Sequence, residues 1–135
     1  MPHTIDAQVQ QLAKQVSKGL KNGTLLLRDV VGLTDEEMVA IKDVAESLSR
    51  SGSLHRAIAI YGLLLIYDQF NMGYWEAMAK LQYMVGQPAI SLACYQAAET
   101  LGLDQEQVLF QQVACLQQMG EKKLADELIQ LQMDS

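Results

Sequence analysis

Residues 72–105 read MGYWEAMAKLQYMVGQPAISLACYQAAETLGLDQ, and this stretch predicts two helices with a sharp break between them. Gly86 lies at its middle, where a glycine commonly ends a helix in a left-handed turn. Pro88 follows two residues later, at a position that suits the first turn of a new helix. Small Ala79 on the first helix and small Ser91 on the second allow the two helices to approach closely. The stretch therefore predicts a helical hairpin.

The same pattern recurs along the chain with a period of 34 residues. Glycines stand at 52, 86 and 120, which gives two spacings of 34. The same offset superposes small or aliphatic residues (Ala45, Ala79 and Val113; Ala57, Ser91 and Ala125) and large ones (Ile41, Trp75 and Leu109; Tyr61, Tyr95 and Ile129). This period is that of the tetratricopeptide repeat, in which each unit is a pair of antiparallel helices. We predict an all-α tetratricopeptide-repeat solenoid of about three repeats at 38–71, 72–105 and 106–135, with Trp75, Tyr61 and Tyr95 as core aromatics.

Residues 1–37 precede the repeats and predict an amphipathic helix with a connecting segment. Ile5, Val9, Leu12 and Val16 recur at helical spacing and form one apolar stripe. The stripe lies outside the repeats and needs a surface to cover it, so we predict that these four residues mediate dimerisation. Residues 1–33 carry a net charge of +2 and the rest of the chain −8, which favours contact between this segment and the body of another copy.

Composition excludes several classes of protein. The chain has 135 residues, of which 50% are apolar, and a net charge of −6, so it can bury a core but lacks the basic surface of a nucleic-acid binder. Its longest apolar run, 57–67, is shorter than the roughly 20 residues of a membrane-spanning helix. No stretch in residues 1–30 resembles a signal peptide. Cys94 and Cys115 have no CxxC spacing, so we expect buried thiols in a reducing cytoplasm.

No residue pattern points to catalysis. The chain contains none of the common nucleotide-binding, hydrolase or metalloprotease motifs. His3 and His55 have no evident catalytic partner, and the run 35–37 of acidic residues after Thr34 is better explained as a helix cap than as a metal site. We predict a protein that is not an enzyme, with no catalytic residue, no metal site and no cofactor.

The first helices of stacked tetratricopeptide repeats line a concave groove. Repeat positions 2, 5, 9 and 12 should form its wall, and these are Val39, Lys42, Glu46 and Ser49; Gly73, Glu76, Lys80 and Tyr83; and Gln107, Phe110, Ala114 and Gln117. We predict that an extended peptide binds here, with Tyr83 and Phe110 as apolar anchors. A solvated wall without a ligand is the alternative. Met84, in a first helix, fits either core packing or an adaptable binding surface.

Three further segments resemble a known family. The run Lys18–Leu25, the run Tyr74–Ala79 followed by Gly86-Gln87, and the run Ala114–Gly120 are similar to the class II chaperones of type III secretion, the tetratricopeptide chaperones of pore-forming translocators. The resemblance covers residues 5–131. It implies a small acidic protein in the cytoplasm of a Gram-negative bacterium, with a peripheral place at the inner membrane as a second option. It also implies dimerisation through the N-terminal region and a groove that holds a proline- and leucine-containing segment of a translocator before secretion.

The resemblance also implies groove residues and shows one departure. Leu54 and Tyr67 match apolar groove positions of the family, so they join the predicted peptide-binding set. Lys42, Glu46 and Ser49 stand where family members tend to have aromatic residues. We therefore predict a chaperone that keeps a hydrophobic translocator soluble and competent for export. The alternative is a tetratricopeptide adaptor, or a needle-subunit co-chaperone, that binds another structural protein.

Overall fold

The computed structural model of the chain describes residues 7, 9–11, 14 and 26–134. Seven helices follow one another from residue 27 onward, and residues 26–134 contain no strand. The helices are α1 (Leu27–Val31), α2 (Asp35–Arg50), α3 (Leu54–Tyr67), α4 (Met72–Met84), α5 (Pro88–Thr100), α6 (Gln105–Gln118) and α7 (Lys122–Met133). Helices α2 to α7 each pack on the next in the chain, which makes three helical hairpins in series.

Local signals in the sequence set the ends of these helices. Thr34 caps α2 as predicted: its Oγ1 accepts from the backbone N–H of Glu37 at 3.1 Å, and the Glu37 side chain accepts from the N–H of Thr34 at 3.3 Å. Pro88 opens α5. Gly52, Gly86 and Gly120 have φ between 80° and 83°, a left-handed conformation that side chains disfavour. The glycines with the 34-residue period thus end the first helix of each hairpin.

Small side chains lie where the helices meet. Ala45, Ala57, Ala79, Ser91 and Ala125 are completely buried, as the repeat pattern predicts. Tyr61 and Tyr95 are buried beside them. Because interiors are packed at high density, each of these small residues leaves room for a larger neighbour.

Trp75 differs from the prediction of a core aromatic. It is half-buried at the edge of the core, where its indole N–H donates to the Gln69 carbonyl at 2.7 Å. Its neighbour Tyr74 is the buried ring, 6.5 Å from the ring of Tyr61. A tryptophan keeps its polar N–H satisfied at a turn more easily than inside an apolar core.

A short chain of polar groups joins three helices. The Cys115 thiol on α6 donates to Ser91 Oγ on α5 at 3.5 Å, and the Ser91 hydroxyl donates to the Ala79 carbonyl on α4 at 2.7 Å. These bonds hold α4 and α6 on either side of α5. Helix α1 is attached separately, since Arg28 donates to the carboxylate of Asp35 and to the carbonyl of Leu33. None of the described helices is both long and apolar enough to span a membrane.

Candidate functional site

A cavity of about 410 Å³ opens between α4 and α6, the first helices of the second and third hairpins. It is lined by Lys80, Tyr83, Met84, Tyr95, Phe110, Gln111 and Ala114. Four of these residues, Lys80, Tyr83, Phe110 and Ala114, belong to the predicted peptide-binding set. The structure therefore brings together the two predicted anchors and two further wall residues.

Phe110 projects most freely into solvent at this site. Its exposed fraction is 79%, the highest among the large hydrophobic residues that the structure describes. Ala114, one turn later on α6, is small and leaves the space beside the ring open. An exposed aromatic ring next to a concave surface is an unfavourable arrangement in water and a good anchor for a ligand.

Tyr83 forms the opposite wall and is held in place from α6. Its hydroxyl accepts from Gln118 Nε2 at 3.2 Å. Tyr95 is buried, and burial, followed by the nearby Cys115 and Glu76, raises its pKa to about 12. The cavity is therefore lined mainly by aromatic and apolar side chains, with Lys80 as its charged residue, and is suited to an apolar side chain of a ligand.

Charged residues of the predicted wall form ion pairs within one helix. Lys80 Nζ lies 3.4 Å from Glu76 Oε1 on α4, and Lys42 Nζ lies 3.6 Å from Glu46 Oε1 on α2. Each pair is one helical turn apart and neutralises itself. The α2 side of the wall is thus polar without a net charge, and the apolar binding surface lies on the α4–α6 side.

The remaining predicted residues lie outside the cavity. Ser49 is half-buried on α2 and Gln117 is exposed on α6. Leu54 and Tyr67, at the two ends of α3, are partly buried and pack against the core. Their burial makes them structural neighbours of the core in this chain.

Three residues that line the cavity, Met84, Gln111 and Tyr95, were not among the predicted peptide-binding residues. Met84 and Gln111 directly follow the predicted anchors Tyr83 and Phe110 in the chain. Repeat positions 2, 5, 9 and 12 give the residues on the solvent-facing side of a single helix. This cavity lies between two helices, so residues on the sides of those helices also line it. In the sequence, the indication for Met84 and Gln111 was that each directly follows a predicted aromatic anchor.

Most of the predicted dimerisation stripe lies outside the residues that the structure describes, namely Ile5, Leu12 and Val16. Val9 is helical and 59% exposed. The side chain of Val9 is therefore not buried against the rest of the chain.

The residues that the structure describes contain no cluster of three or more histidine, cysteine or acidic residues that could hold a metal ion. His55 is exposed. Burial raises the pKa of the Cys94 thiol to about 11, so it is protonated at neutral pH and a poor nucleophile.

The fold is shared with solved type III secretion chaperones. The type III secretion translocator chaperone SycD from Yersinia enterocolitica matches with a TM-score of 0.69 and 16% sequence identity, over 79% of this chain and 80% of that chain. A type III secretion complex from Aeromonas hydrophila contains a chain that matches with a TM-score of 0.77 and 16% identity, over 85% of this chain and 76% of that chain.

A second SycD structure contains a ligand. SycD in complex with a peptide of the translocator YopD matches with a TM-score of 0.66 and 17% identity, over 73% of this chain and 76% of that chain. At these identities the likeness establishes the fold, and the prediction of an all-α tetratricopeptide-repeat solenoid is confirmed. The neighbours are of the class that the sequence resembles. No protein-family model matches the sequence, and no curated protein matches it.

Proposed function

We propose that this protein is a cytoplasmic chaperone of type III secretion that binds a hydrophobic translocator protein and keeps it soluble before export. The observation that carries the proposal is the aromatic cavity between α4 and α6, in a fold shared with a chaperone solved with a translocator peptide. The function is binding alone, without a catalytic step or a cofactor. As in the SycD dimers, we propose that two copies of this chain associate.

The cavity dictates what part of the cargo binds. Its volume of about 410 Å³ is too small to enclose a folded element and accommodates one or two large apolar side chains. The exposed amides of Gln111 and Gln117 on α6 provide donors and acceptors for the backbone of an extended segment. We propose that Lys80, Tyr83, Phe110 and Ala114 bind the apolar residue of the cargo, while Lys42, Glu46, Ser49 and Glu76 face its polar flank.

Co-expression tests the function directly. The chain is produced together with each secreted protein encoded beside its gene, and the soluble fraction is analysed for complexes. We expect a membrane-active translocator to become soluble and to copurify with the wild-type chain, and to be lost from the complex with Phe110→Ala. Ile90→Ala is the control, because Ile90 is also an exposed apolar residue, at 47%, but lies on α5 and does not line the cavity.

Two results would contradict the proposal. If only a needle subunit or another non-membrane protein copurifies, the adaptor or co-chaperone function replaces it. If a translocator copurifies equally with Phe110→Ala, the cargo binds elsewhere. The cavity of about 780 Å³ lined by Glu99, Gln112 and leucines of α5, α6 and α7 would then be the next candidate.

A further inference from the structure

The cavity of about 780 Å³ is an open groove between α5 and α7, with α6 as its floor. It is nearly twice as large as the cavity of about 410 Å³ between α4 and α6. Gln112 and Leu116 of α6 are buried at its base, and Leu124 and Glu127 of α7 are exposed at its rim. We call this surface the α5–α7 groove.

The α5–α7 groove and the cavity between α4 and α6 lie on opposite faces of α6. Gln105, Gln112 and Leu116 line the groove and recur at spacings of seven and four residues, so they share one face of the helix. Phe110 and Ala114 line the cavity, and each is two residues from Gln112, about half a turn of helix away. The two surfaces share no lining residue. A ligand bound at one of them therefore leaves the other accessible.

Leucines give the groove an apolar lining that fits a helix. The leucines come from all three helices: Leu92, Leu116, Leu124, Leu128 and Leu131. Leu124 and Leu128 are one turn apart on α7, and Leu124 is 48% exposed. A helix that docks in a groove between two other helices contacts it with apolar residues spaced three and four apart. The groove therefore suits the apolar face of an amphipathic helix.

The charge of the groove is negative. Of the described residues that line it, two are carboxylates, Glu99 and Glu127, and none is basic. Glu99 is half-buried and accepts from Gln112 Nε2 at 2.8 Å, and Glu127 is exposed. Lys123 is one turn before Glu127 but does not pair with it, and within the described part of the chain neither carboxylate is in an ion pair. Both carboxylates are available to a cationic ligand.

The repeat itself does not require these polar side chains. The residues 34 positions before Glu99, Gln112 and Glu127 are all apolar, namely Leu65, Met78 and Ala93. Leu65 packs against the core and Met78 is buried within it. The fold thus accepts apolar residues at these repeat positions. The acidic lining is a property of the α5–α7 groove, which points to a ligand with the complementary charge.

Desolvation determines the charge of the ligand. A helix that covers the groove removes water from Glu99 and Glu127, and a carboxylate that loses water without a cationic partner is strongly unfavourable. Lysine or arginine residues beside the apolar face of the helix supply that partner. An acidic or purely apolar helix does not, and the phosphates of nucleic acids or anionic lipids are repelled.

We propose that the α5–α7 groove binds a basic amphipathic helix of a partner protein. The apolar face of the helix lies on the leucines, and its lysine or arginine residues pair with Glu99 and Glu127. This inference goes beyond the proposed function and does not depend on it, because the groove is separate from the cargo cavity and its binding is measured without cargo.

A synthetic peptide tests the groove directly. The probe is a helical peptide of about 18 residues with leucines at positions i, i+3, i+4 and i+7 and lysines on both sides of them. Fluorescence anisotropy measures its binding to the full chain. We expect Glu99→Gln and Glu127→Gln each to weaken the binding about 3- to 10-fold, because each removes one charge pair. Asp126→Asn is the matched control, since it removes the same charge from α7 outside the groove, and its affinity should stay within about 2-fold of the wild type.

Two further comparisons test the apolar and the ionic contacts separately. Leu124→Ala should weaken the binding about 3- to 10-fold, whereas Ile90→Ala, which is matched in exposure at 47% but lies outside the groove, should not. A peptide with glutamates in place of the lysines should not bind. No binding of the lysine peptide, equal binding of both peptides, or equal affinity of Glu127→Gln and Asp126→Asn would overturn the proposal.

Two variants test for other occupants and sites. Phe110→Ala should bind the lysine peptide as the wild type does, and a loss of affinity would place the peptide in the cavity between α4 and α6. Lys18→Glu should also leave the affinity unchanged. A higher affinity would show that the basic N-terminal segment of this chain already occupies the groove. Either deviation would overturn the proposal, and neither would change the result of the co-expression experiment with cargo.

Discussion

Individual small residues determine how closely the helices of this protein approach. Ala79 on α4 has no exposed surface, and its carbonyl accepts from the Ser91 hydroxyl of α5. A larger side chain at residue 79 would push α5 away and break this hydrogen bond. The distance between α4 and α5 therefore depends on one methyl group.

Ala79→Leu should destabilise the fold by about 1–3 kcal/mol, because the densely packed core has no space for three more carbon atoms. Ala93→Leu is the matched control, since Ala93 is exposed on α5. Urea unfolding followed by circular dichroism measures both variants. Equal stability of the two variants would show that the interface between α4 and α5 can expand freely.

Tyr83→Ala and Phe110→Ala should each weaken cargo binding by about 1–2 kcal/mol, because aromatic anchors carry a large share of the binding free energy. Phe110→Ala should leave the stability of the chain nearly unchanged, since the ring is 79% exposed. Tyr83→Ala should cost slightly more, because Gln118 loses its acceptor. Isothermal titration calorimetry with the cargo segment measures the affinity, and unchanged affinity in both variants would place the cargo outside this cavity.

At the scale of the helix, glycines have two opposite roles. Gly86 ends α4 with a φ of 81°, which a residue with a Cβ adopts only with strain. Gly62 lies within α3, where a Cβ would meet only the Met78 methyl group at 3.9 Å, an ordinary contact. The first glycine is needed by the backbone, and the second reduces the stability of its helix.

Gly86→Ala should therefore destabilise the protein by about 1–2 kcal/mol through left-handed strain. Gly62→Ala should stabilise it by up to about 1 kcal/mol, because alanine has the higher helix propensity. Thermal unfolding of the two variants beside the wild type shows whether each change raises or lowers the stability of the protein. If both changes act in the same direction, the conformational assignment of Gly86 or Gly62 is incorrect.

At the scale of the whole molecule, the core depends on keeping buried groups uncharged. Burial raises the pKa of Tyr95 from 10.0 to about 12 and that of Cys94 from 9.0 to about 11. Both residues lie on α5, the helix that is hydrogen-bonded through Ser91 to α4 and α6. The folded state holds these two protons more tightly than the unfolded state does.

The free energy of unfolding should consequently fall as the pH rises. The contribution of Cys94 and Tyr95 is fully present below pH 9.0, the ordinary thiol value, and is lost progressively up to about pH 12, where the folded groups ionise. Urea unfolding at a series of alkaline pH values measures this loss. Cys94→Ala should shift its onset toward the ordinary tyrosine value of 10.0. Stability independent of pH up to 11 would contradict the assigned burial.

Sequence alone determined the helical hairpins, their 34-residue period and the small residues between the helices. These features depend on local preferences, since glycine permits the left-handed turn and Thr34 and Pro88 start helices within a few residues of chain. The burial of Ala79 follows from the same repeat, because its position recurs in every hairpin. Tyr83 and Phe110 as neighbours across a groove were also predictable, because the repeat period relates α4 to α6.

Only the tertiary structure decided which side chains share the cavity and which surface is left uncovered. Met84 and Gln111 line the cavity because it lies between α4 and α6. The spacing of residues along one helix does not give the distance between two helices. Tyr74 rather than Trp75 fills the core because the turn at Gln69 offers the indole a carbonyl. Leu63 and Ile66 of α3 are exposed in the folded chain, although the composition of α3 resembles that of a buried helix. Helix spacing and side-chain direction, which arise only when the hairpins stack, account for these differences.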